Sequence, residues 1–409
     1  MDLPDLPSKV ESDAGPGDAG KVDAKPAVPG GAPMTVPGPE PVPEVTAKDE
    51  TSPPATEKPS PRVSLAPVSV QIPITLPTTE RSCSSRSKET ISITLQSGYF
   101  GMQGRRPTME DYHTQLQHPE LNRLASQQGP LHDRTHRSLF AIYDGHGGQW
   151  CADYCSKMVQ QNLVDHEQFR EKSAVALSDS IVKTDETFCK LVREKGFSDS
   201  SGSTAIVVYI VDDKMIVANV GDSRAVLCRN GRCVPLSSDH KPNRKDERVR
   251  IMSLGGYVGR TAPKVSSSGV ICTQKTNDCW SQALMACCAF AGPALPPYRV
   301  YPGGLAISRS IGDLEMKATR LVINTPEIQQ MALIEDDEFV IIGCDGVWDV
   351  ISNEEAVRLV RAFRQKHGEH PMEAAKHLAS TAYAEGSSDN ISVLVIYFRK
   401  GPHQSQRSR

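Results

Sequence analysis

The sequence predicts an α+β fold, because its strand patterns and helix patterns form separate clusters along the chain. The main strand cluster is "STAIVVYIVDDKMIVANVGDSRAVLCRNGRCVPL", residues 203–236. It is rich in Val and Ile, and the turn signals DDK, GDS and NG divide it into four short strands. Four such strands in succession predict an antiparallel meander. The helical patterns lie before and after this cluster instead of alternating with single strands.

The individual elements follow from their boundary residues. The globular pattern starts at "ISITLQSGYFGMQG", and two helical patterns follow in "GQWCADYCSKMVQQNLV" and "SAVALSDSIVKTDETFCKLVREKG". A third helix opens with a capping box from Ser352 to Glu355. A fourth begins at Pro371 and stops at Gly386, since Pro suits the first helical turn and Gly the position after the last one. "NISVLVIYF" is then typical of a long buried strand.

Composition divides the chain into a tail and one domain. More than half of the 30 prolines precede Thr90, and no aromatic ring of Phe, Trp or Tyr precedes Tyr99. Such a segment buries too little apolar surface to offset its ordering entropy. We therefore predict a disordered Pro-rich tail over residues 1–90, a folded domain over 91–399 and a second disordered tail over 400–409. The N-terminal tail is a candidate for recruiting a partner.

Residues 262–298 fit no element. Their turn-rich ends enclose an apolar centre without a clear period, and so long a loop is unusual inside a compact domain. A loop insertion, a flap-like subdomain and an error in the gene model all remain open.

Charge and composition exclude several classes of function. The 409 residues carry a net charge of -3, so no overall basic field favours nucleic acid or an anionic membrane. The chain start "MDLPDLPSKVESDAG" has no signal-peptide pattern, and we expect a cytoplasmic or nuclear protein that does not bind a membrane. The 11 cysteines include no C-x-x-C pair, which disfavours a structural zinc site. We also expect a monomer.

Acidic residues recur at strand ends and in Gly-containing turns. Two apolar strands end in Asp-Gly, in "LFAIYDGH" and "FVIIGCDGVWD". Each acidic residue alone is more typical of an ordinary turn or cap, but several buried carboxylates close together require neutralising cations. Oxygen-only ligation favours Mg²⁺ or Mn²⁺, and two such ions can activate a water for attack on phosphorus. The acidic positions are Glu110, Asp111, Asp144, Asp222, Asp313, Asp345 and Asp389.

A phosphate-cleaving centre also needs a cation for the phosphate and a proton donor. Arg105 and Arg106 precede the first acidic pair, and a guanidinium fork matches phosphate oxygens. His146 stands two residues after Asp144, and imidazole suits proton donation at neutral pH. The alternative is that these arginines are merely solvated and that His146 only packs.

Eight motifs, in order, resemble the metal-dependent type 2C protein serine/threonine phosphatases. The resemblance covers about residues 91–399 apart from the insertion, and it implies a sandwich of two antiparallel β-sheets flanked by α-helices on both sides. In that family the segment that is expanded here forms a mobile flap beside the active site. The motifs are "GMQGRRPTMEDYH", "FAIYDGHGG", "SGSTA", "VANVGDSRAVL", "DHKP", "GGLAISRSIGD", "CDGVWDV" and "SDNISVLVI".

The resemblance also implies roles for single residues. Asp144 would bridge two metals, with Glu110 and the Gly145 carbonyl completing one site and Asp345 with Asp389 completing the other. Asp222 would lie where some members hold a third, weaker metal. Asp111 would hold metal-bound water, Arg106 would bind phosphate and His146 would be the general acid. Asp313 and Asn390 would have supporting roles.

These observations predict a Mg²⁺- or Mn²⁺-dependent phosphatase that acts on phosphorylated proteins by direct attack of a metal-bridging water. Two other functions remain open. One is a binding scaffold with the tail as its recruiting arm, although such proteins usually lose metal ligands. The other is a two-metal phosphoesterase for small molecules, whose catalytic centre would look alike.

Overall fold

The computed structural model describes residues 93–126, 135–195, 200–261, 264–265, 271–272 and 296–400. All of them belong to one compact unit, Cys83–Arg409. The predicted N-terminal tail, residues 401–409 and most of the 262–298 segment lie outside the described residues, whereas Lys400 ends a strand instead of starting the second tail. Their predicted disorder and the nature of the insertion therefore stay predictions.

Two five-stranded antiparallel sheets form the centre of the described domain. The first sheet has the order β1-β17-β16-β8-β9, and its strands are Ile93–Met102, Ile391–Lys400, Asp337–Gly343, Arg224–Arg229 and Arg232–Pro235. The second sheet has the order β15-β7-β6-β3-β2, and its strands are Glu327–Ala332, Lys214–Val220, Ala205–Val211, Arg137–Tyr143 and Tyr112–Leu116.

Helices cover the outer face of each sheet. In chain order, the helices within the described residues are α1 (Glu120–Ser126), α2 (Trp150–Val164), α3 (Ser173–Lys195), α4 (Lys245–Ser253), α5 (Leu314–Ala318), α6 (Asp345–Trp348), α7 (Asn353–His367) and α8 (Pro371–Ala384). Helices α2 and α3 share a hydrophobic cluster with the second sheet, and α6, α7 and α8 share one with the first.

The strand β3 shows why the layers stack in this order. All seven of its residues are buried. Phe140 and Ile142 belong to the cluster between the two sheets, whereas Leu139, Ala141 and Tyr143 belong to the cluster under α2 and α3. Because successive side chains of a strand point to opposite faces, a strand covered on both sides needs an unbroken apolar run. The predicted α+β sandwich is confirmed.

The predicted meander is wrong at its centre. Strands β6 and β7 pair in the second sheet, but β8 and β9 pair in the first, so the chain changes sheets at "GDS". Gly221 adopts φ +101°, which side-chain-bearing residues rarely do, and a Cβ there would approach Thr204 Cγ2 to 2.6 Å. The chain does turn at "GDS", as the sequence predicts, but the turn joins strands of two different sheets and not two neighbouring strands.

The predicted helix boundaries are confirmed where the structure describes them. The Ser352 hydroxyl accepts a hydrogen bond from the Glu355 backbone N–H at 3.2 Å, which caps α7. Pro371 occupies the first turn of α8, and Gly386 with φ +99° follows the end of that helix. Among the described residues, no helix combines the length and apolarity needed to cross a membrane.

Three small sheets complete the described domain. The sheet β14-β5-β4 consists of Ile311–Gly312, Gly202–Ser203 and Gly145–His146. Two further pairs join β10 (Tyr257–Gly259) with β13 (Arg299–Tyr301), and β11 (Lys264–Val265) with β12 (Ile271–Cys272). The sheet β14-β5-β4 matters most for the site, because its edge strand β4 carries His146.

Candidate active site

A cleft of ≈ 420 Å³ opens where strands of both sheets end. The chain leaves β3 at Tyr143 and turns into the cleft at Asp144, and it leaves β16 at Gly343 and enters α6 at Asp345. Apart from Asp111, every residue to which the sequence assigned a metal or catalytic role lines this cleft. Those residues are Arg106, Glu110, Asp144, Gly145, His146, Asp222, Asp345 and Asp389.

Three carboxylates form the floor of the cleft. Asp144, Asp222 and Asp345 each offer one oxygen, and these oxygens lie within 4.8 Å of one another. Burial raises the pKa of Asp144 well above its usual range, and the neighbouring Asp345 and Asp111 charges raise it further. Burial and Asp222 do the same to the pKa of Asp345, against the opposing effect of Lys241. Such crowding of negative charge fits a bound divalent cation, and a donor set of oxygens alone suits Mg²⁺ or Mn²⁺.

Asp111 is buried close to Asp144 and does not line the cleft. It is only 6 % exposed, and neither carboxylate oxygen has a hydrogen-bond partner among the described residues. Burial raises the pKa of Asp111 to about 6. One of its oxygens lies within 4.8 Å of an Asp144 oxygen and of the Cys344 sulfur, a neighbour that the sequence analysis missed. The unpaired carboxylate supports its predicted function of holding water in the site.

Asn390 ties the loop that carries Glu110 to the end of the first sheet. Its Nδ2 donates to the carbonyls of Gln103 and Thr108, both at 2.8 Å, and its Oδ1 accepts from the Glu110 N–H at 2.8 Å. The Glu110 carboxylate in turn accepts from the Thr108 hydroxyl at 2.9 Å and from the Gly148 N–H at 3.3 Å. The supporting role expected of Asn390 is therefore structural, because these hydrogen bonds hold the Glu110 loop in place.

Gly145 allows two backbone segments to meet beside the cleft. A Cβ at this position would approach the Glu110 carbonyl oxygen to 2.3 Å and the Ala152 Cβ to 3.1 Å. The strand β4 pairs here with β5, and the Thr204 N–H donates to the Asp144 carbonyl at 2.9 Å. Only glycine permits this approach, which explains the Asp-Gly pair at the end of β3.

The two adjacent arginines separate in space. Arg106 lines the cleft, and its Nη2 lies 2.5 Å from Asp389 Oδ2. Arg105 points elsewhere: its guanidinium lies 4.9 Å from the centre of the Tyr383 ring and donates to the Gly386 carbonyl at 3.2 Å. Of the two candidates that the residues alone left open, Arg106 is the one that reaches the site.

His146 is held by Asp313. Its Nε2 lies 2.9 Å from both carboxylate oxygens of Asp313. Burial alone would lower the pKa of His146, but the hydrogen bond and the charge of Asp313 outweigh it and raise the pKa. Gly202 makes room for the pair, because a Cβ there would lie 2.3 Å from Asp313 Oδ2 and 2.4 Å from His146 Nε2. A raised pKa keeps the imidazole protonated to higher pH, as a proton donor requires.

Lys241 is a site residue to which the sequence analysis gave no role. Its Nζ lies 2.5 Å from Asp222 Oδ2 and 4.0 Å from Asp349 Oδ1. Burial would lower the pKa of Lys241, but Asp222 and Asp345 raise it, so the ammonium stays charged. The "DHKP" motif contains this lysine, and the motif lies next to Asp222 because the His240 N–H donates to the Gly221 carbonyl at 2.9 Å.

The two-sheet fold with its acidic cleft matches a known family of phosphatases. The family model of protein phosphatase 2C matches residues 95–391. "Probable protein phosphatase 2C 59" of Arabidopsis thaliana is 36% identical over 301 residues, which cover 74% of this chain and 79% of that protein. "Probable protein phosphatase 2C 7" of Oryza sativa subsp. japonica is 37% identical over 304 residues, covering 74% of this chain and 66% of that protein.

The similarity extends to solved structures. The crystal structure of serine-threonine phosphatase 2C from Toxoplasma gondii aligns with a TM-score of 0.56 at 21% identity, covering 75% of this chain and 95% of that one. The chain accordingly belongs to the protein phosphatase 2C family. It is therefore a phosphatase of the hydrolase class, and its acidic clusters agree with the metal dependence of the family.

Proposed function

We propose that this protein hydrolyses phosphoserine and phosphothreonine in other proteins, using a binuclear Mg²⁺ or Mn²⁺ centre. One observation carries the proposal: the Asp144, Asp222 and Asp345 oxygens converge within 4.8 Å at the floor of a cleft. The same cleft presents a guanidinium and an imidazole, at Arg106 and His146.

The residues that would hold the cations are those that the resemblance to the family implies, and all of them line the cleft. Asp144 would bridge the two ions, Glu110 and the Gly145 carbonyl would complete one site, and Asp345 with Asp389 would complete the other. When bound, the two ions would make a water nucleophilic near neutral pH and neutralise charge on the phosphoryl group. Asp222 would belong to a third, weaker position, where Lys241 already supplies one positive charge.

Arg106 would bind the phosphate of the substrate. Its guanidinium is 56% exposed in the side chain and already pairs with a carboxylate, Asp389. A phosphate presents the same oxygen geometry with more charge, so it can take over one or both N–H donors. Asp389 would then be released toward a cation.

His146 would protonate the leaving oxygen of serine or threonine. In the imidazolium form Nε2–H donates to Asp313, so Nδ1 carries the proton that is available to the substrate. An alkoxide is a poor leaving group, and protonation during bond cleavage is worth roughly 10²- to 10⁴-fold in rate. After the reaction, Asp313 holds the imidazole in the orientation needed to take up a new proton.

The test is release of phosphate from a phosphothreonine peptide by the full chain with Mn²⁺, with Mg²⁺ and with excess chelator. We expect turnover with either metal and none with chelator. Asp345→Asn should lose at least 10²-fold in kcat, because it removes a charged cation ligand, whereas Asp179→Asn on the exposed side of α3 should behave as wild type.

The same assay separates the alternatives. A small-molecule phosphoesterase would cleave a phosphorylated metabolite at least as well as the peptide. A scaffold would bind Mn²⁺ in calorimetry and turn over neither substrate. The first result would favour the small-molecule phosphoesterase and the second the scaffold, and either would contradict the proposed function.

A further inference from the structure

Asp185 is a buried carboxylate outside the cleft. It lies on α3 and is 4% exposed. Its Oδ1 accepts from the Gly312 N–H at 2.8 Å and from Lys317 Nζ at 2.9 Å, and its Oδ2 accepts from Asn324 Nδ2 at 2.7 Å. All three donors belong to one chain segment, residues 312–324. A buried carboxylate with this set of partners fixes that segment against α3.

The segment held by Asp185 is joined to His146 through the small sheet. In β14, Ile311 pairs with Ser203 and Gly312 pairs with Gly202. On the other side of β5, Ser203 pairs with Gly145 and Gly202 pairs with His146. Asp185 therefore anchors the outer edge of a three-stranded sheet whose opposite edge carries the imidazole.

The residue after Gly312 makes the second connection. Asp313 has φ +49°, a left-handed conformation that is strained for a residue other than glycine. Its N–H donates to the Ser201 carbonyl at 3.1 Å, and its carboxylate binds His146 Nε2. Such a conformation persists only where the surrounding structure holds it. Asp185 binds Gly312, directly before Asp313, and Lys317, one turn after it.

We infer that Asp185 is a positioning residue of the phosphatase reaction: by anchoring Gly312 and Lys317 it holds Asp313 against His146. The inference rests on the proposed role of His146 as the proton donor. Asp185 touches neither substrate nor cations. Its loss lets Asp313 relax from the left-handed conformation, and the imidazole then loses the partner that orients it.

The leaving group of the substrate distinguishes this role from a general structural one. Phosphothreonine releases an alkoxide that needs a proton, whereas p-nitrophenyl phosphate releases a phenolate that leaves without one. We expect Asp185→Ala to lower kcat for a phosphothreonine peptide by about tenfold or more, with KM unchanged. For p-nitrophenyl phosphate we expect kcat within about twofold of wild type, since proton donation contributes little there.

Further variants sharpen the comparison. Asp185→Asn keeps an oxygen for the Gly312 N–H but loses the charge that holds Lys317, so its effect on the peptide should be smaller. Combining Asp185→Ala with His146→Gln should add nothing to the loss caused by His146→Gln alone, because both act on one proton transfer. Asp179→Asn is the matched control, a carboxylate on the same helix whose side chain is 56% exposed.

The outcomes decide between the two proposals. Equal losses on both substrates, or additive losses with His146→Gln, would overturn the positioning role while leaving the phosphatase proposal intact. An undisturbed 2.9 Å contact between Asp313 and His146 in a crystal structure of the Asp185 variant would also overturn it. If Asp185→Ala does not fold, Asp185→Asn supplies the same comparison. A wild-type protein that leaves the peptide uncleaved would refute the proposed function, and this inference with it.

Discussion

Arg106 and Arg105 are chemically identical neighbours that differ in what they contact. Arg106 faces Asp389 in the cleft, while Arg105 packs on Tyr383 outside it. We expect Arg106→Lys to raise KM for a phosphothreonine peptide by about tenfold, because an ammonium cannot bind two phosphate oxygens as a fork. Steady-state kinetics should show Arg105→Lys unchanged. Equal changes in KM for the two variants would show that Arg106 does not bind the phosphate.

At the scale of elements, Glu247 joins α4 to the chain that borders the cleft. It is 1% exposed and binds Arg250 on its own helix and Arg309 in the following segment, both at 2.6 Å. Arg250 also donates to the carbonyls of Ser308 and Leu321, both at 3.0 Å. Burial would raise the pKa of Glu247, but the two guanidinium groups outweigh it and lower the pKa. The network fixes residues 308–321 beside the cleft.

We expect Glu247→Gln to lower the free energy of unfolding by about 3 kcal/mol, because it leaves two arginines facing a neutral amide in a buried site. The measurement is urea unfolding. Glu355→Gln is the matched control, since Glu355 also pairs with an arginine three residues later, Arg358, but on the surface of α7. That variant should keep the wild-type midpoint. A loss no larger than that of the control would show that the network does not anchor α4.

For the molecule as a whole, the buried acids oppose folding when no cation is bound. The pKa of Asp111 lies near 6 in the folded protein, above the 3.8 of an ordinary aspartate. The folded state therefore retains a proton that the unfolded state has lost, and stability falls as pH rises between these two values. The stability that protonated Asp111 provides is fully present only below about pH 4.

In chelator-treated protein, Asp111→Asn should therefore gain stability relative to wild type as the pH rises from about 4 to about 6. The gain should reach up to about 3 kcal/mol and then level off. Comparing the two proteins removes the contribution of the other titrating groups. The measurement is urea unfolding at several pH values. If the difference in the free energy of unfolding between the two proteins does not change with pH, the raised pKa of Asp111 is contradicted.

The sequence by itself determined the elements and the acidic strand ends. Helix starts at Ser352 and Pro371, the buried strand at the end of the domain and the Asp-Gly pairs after β3 and β16 all follow from local rules: side-chain period, caps and turn residues. The ordered motifs indicated the family. Through that resemblance they also predicted that Glu110, Asp144, Asp345 and Asp389 belong to one site.

Only the tertiary structure decided which side chains meet. His146 and Asp313 are 167 positions apart, Arg106 and Asp389 are 283 apart, and Asp185 reaches Gly312 across 127. No local rule distinguishes Arg106 from Arg105, and none shows that the chain passes from one sheet to the other at "GDS". These contacts depend on how two sheets and their helices pack, which is a property of the summed apolar surface and not of any short stretch of chain.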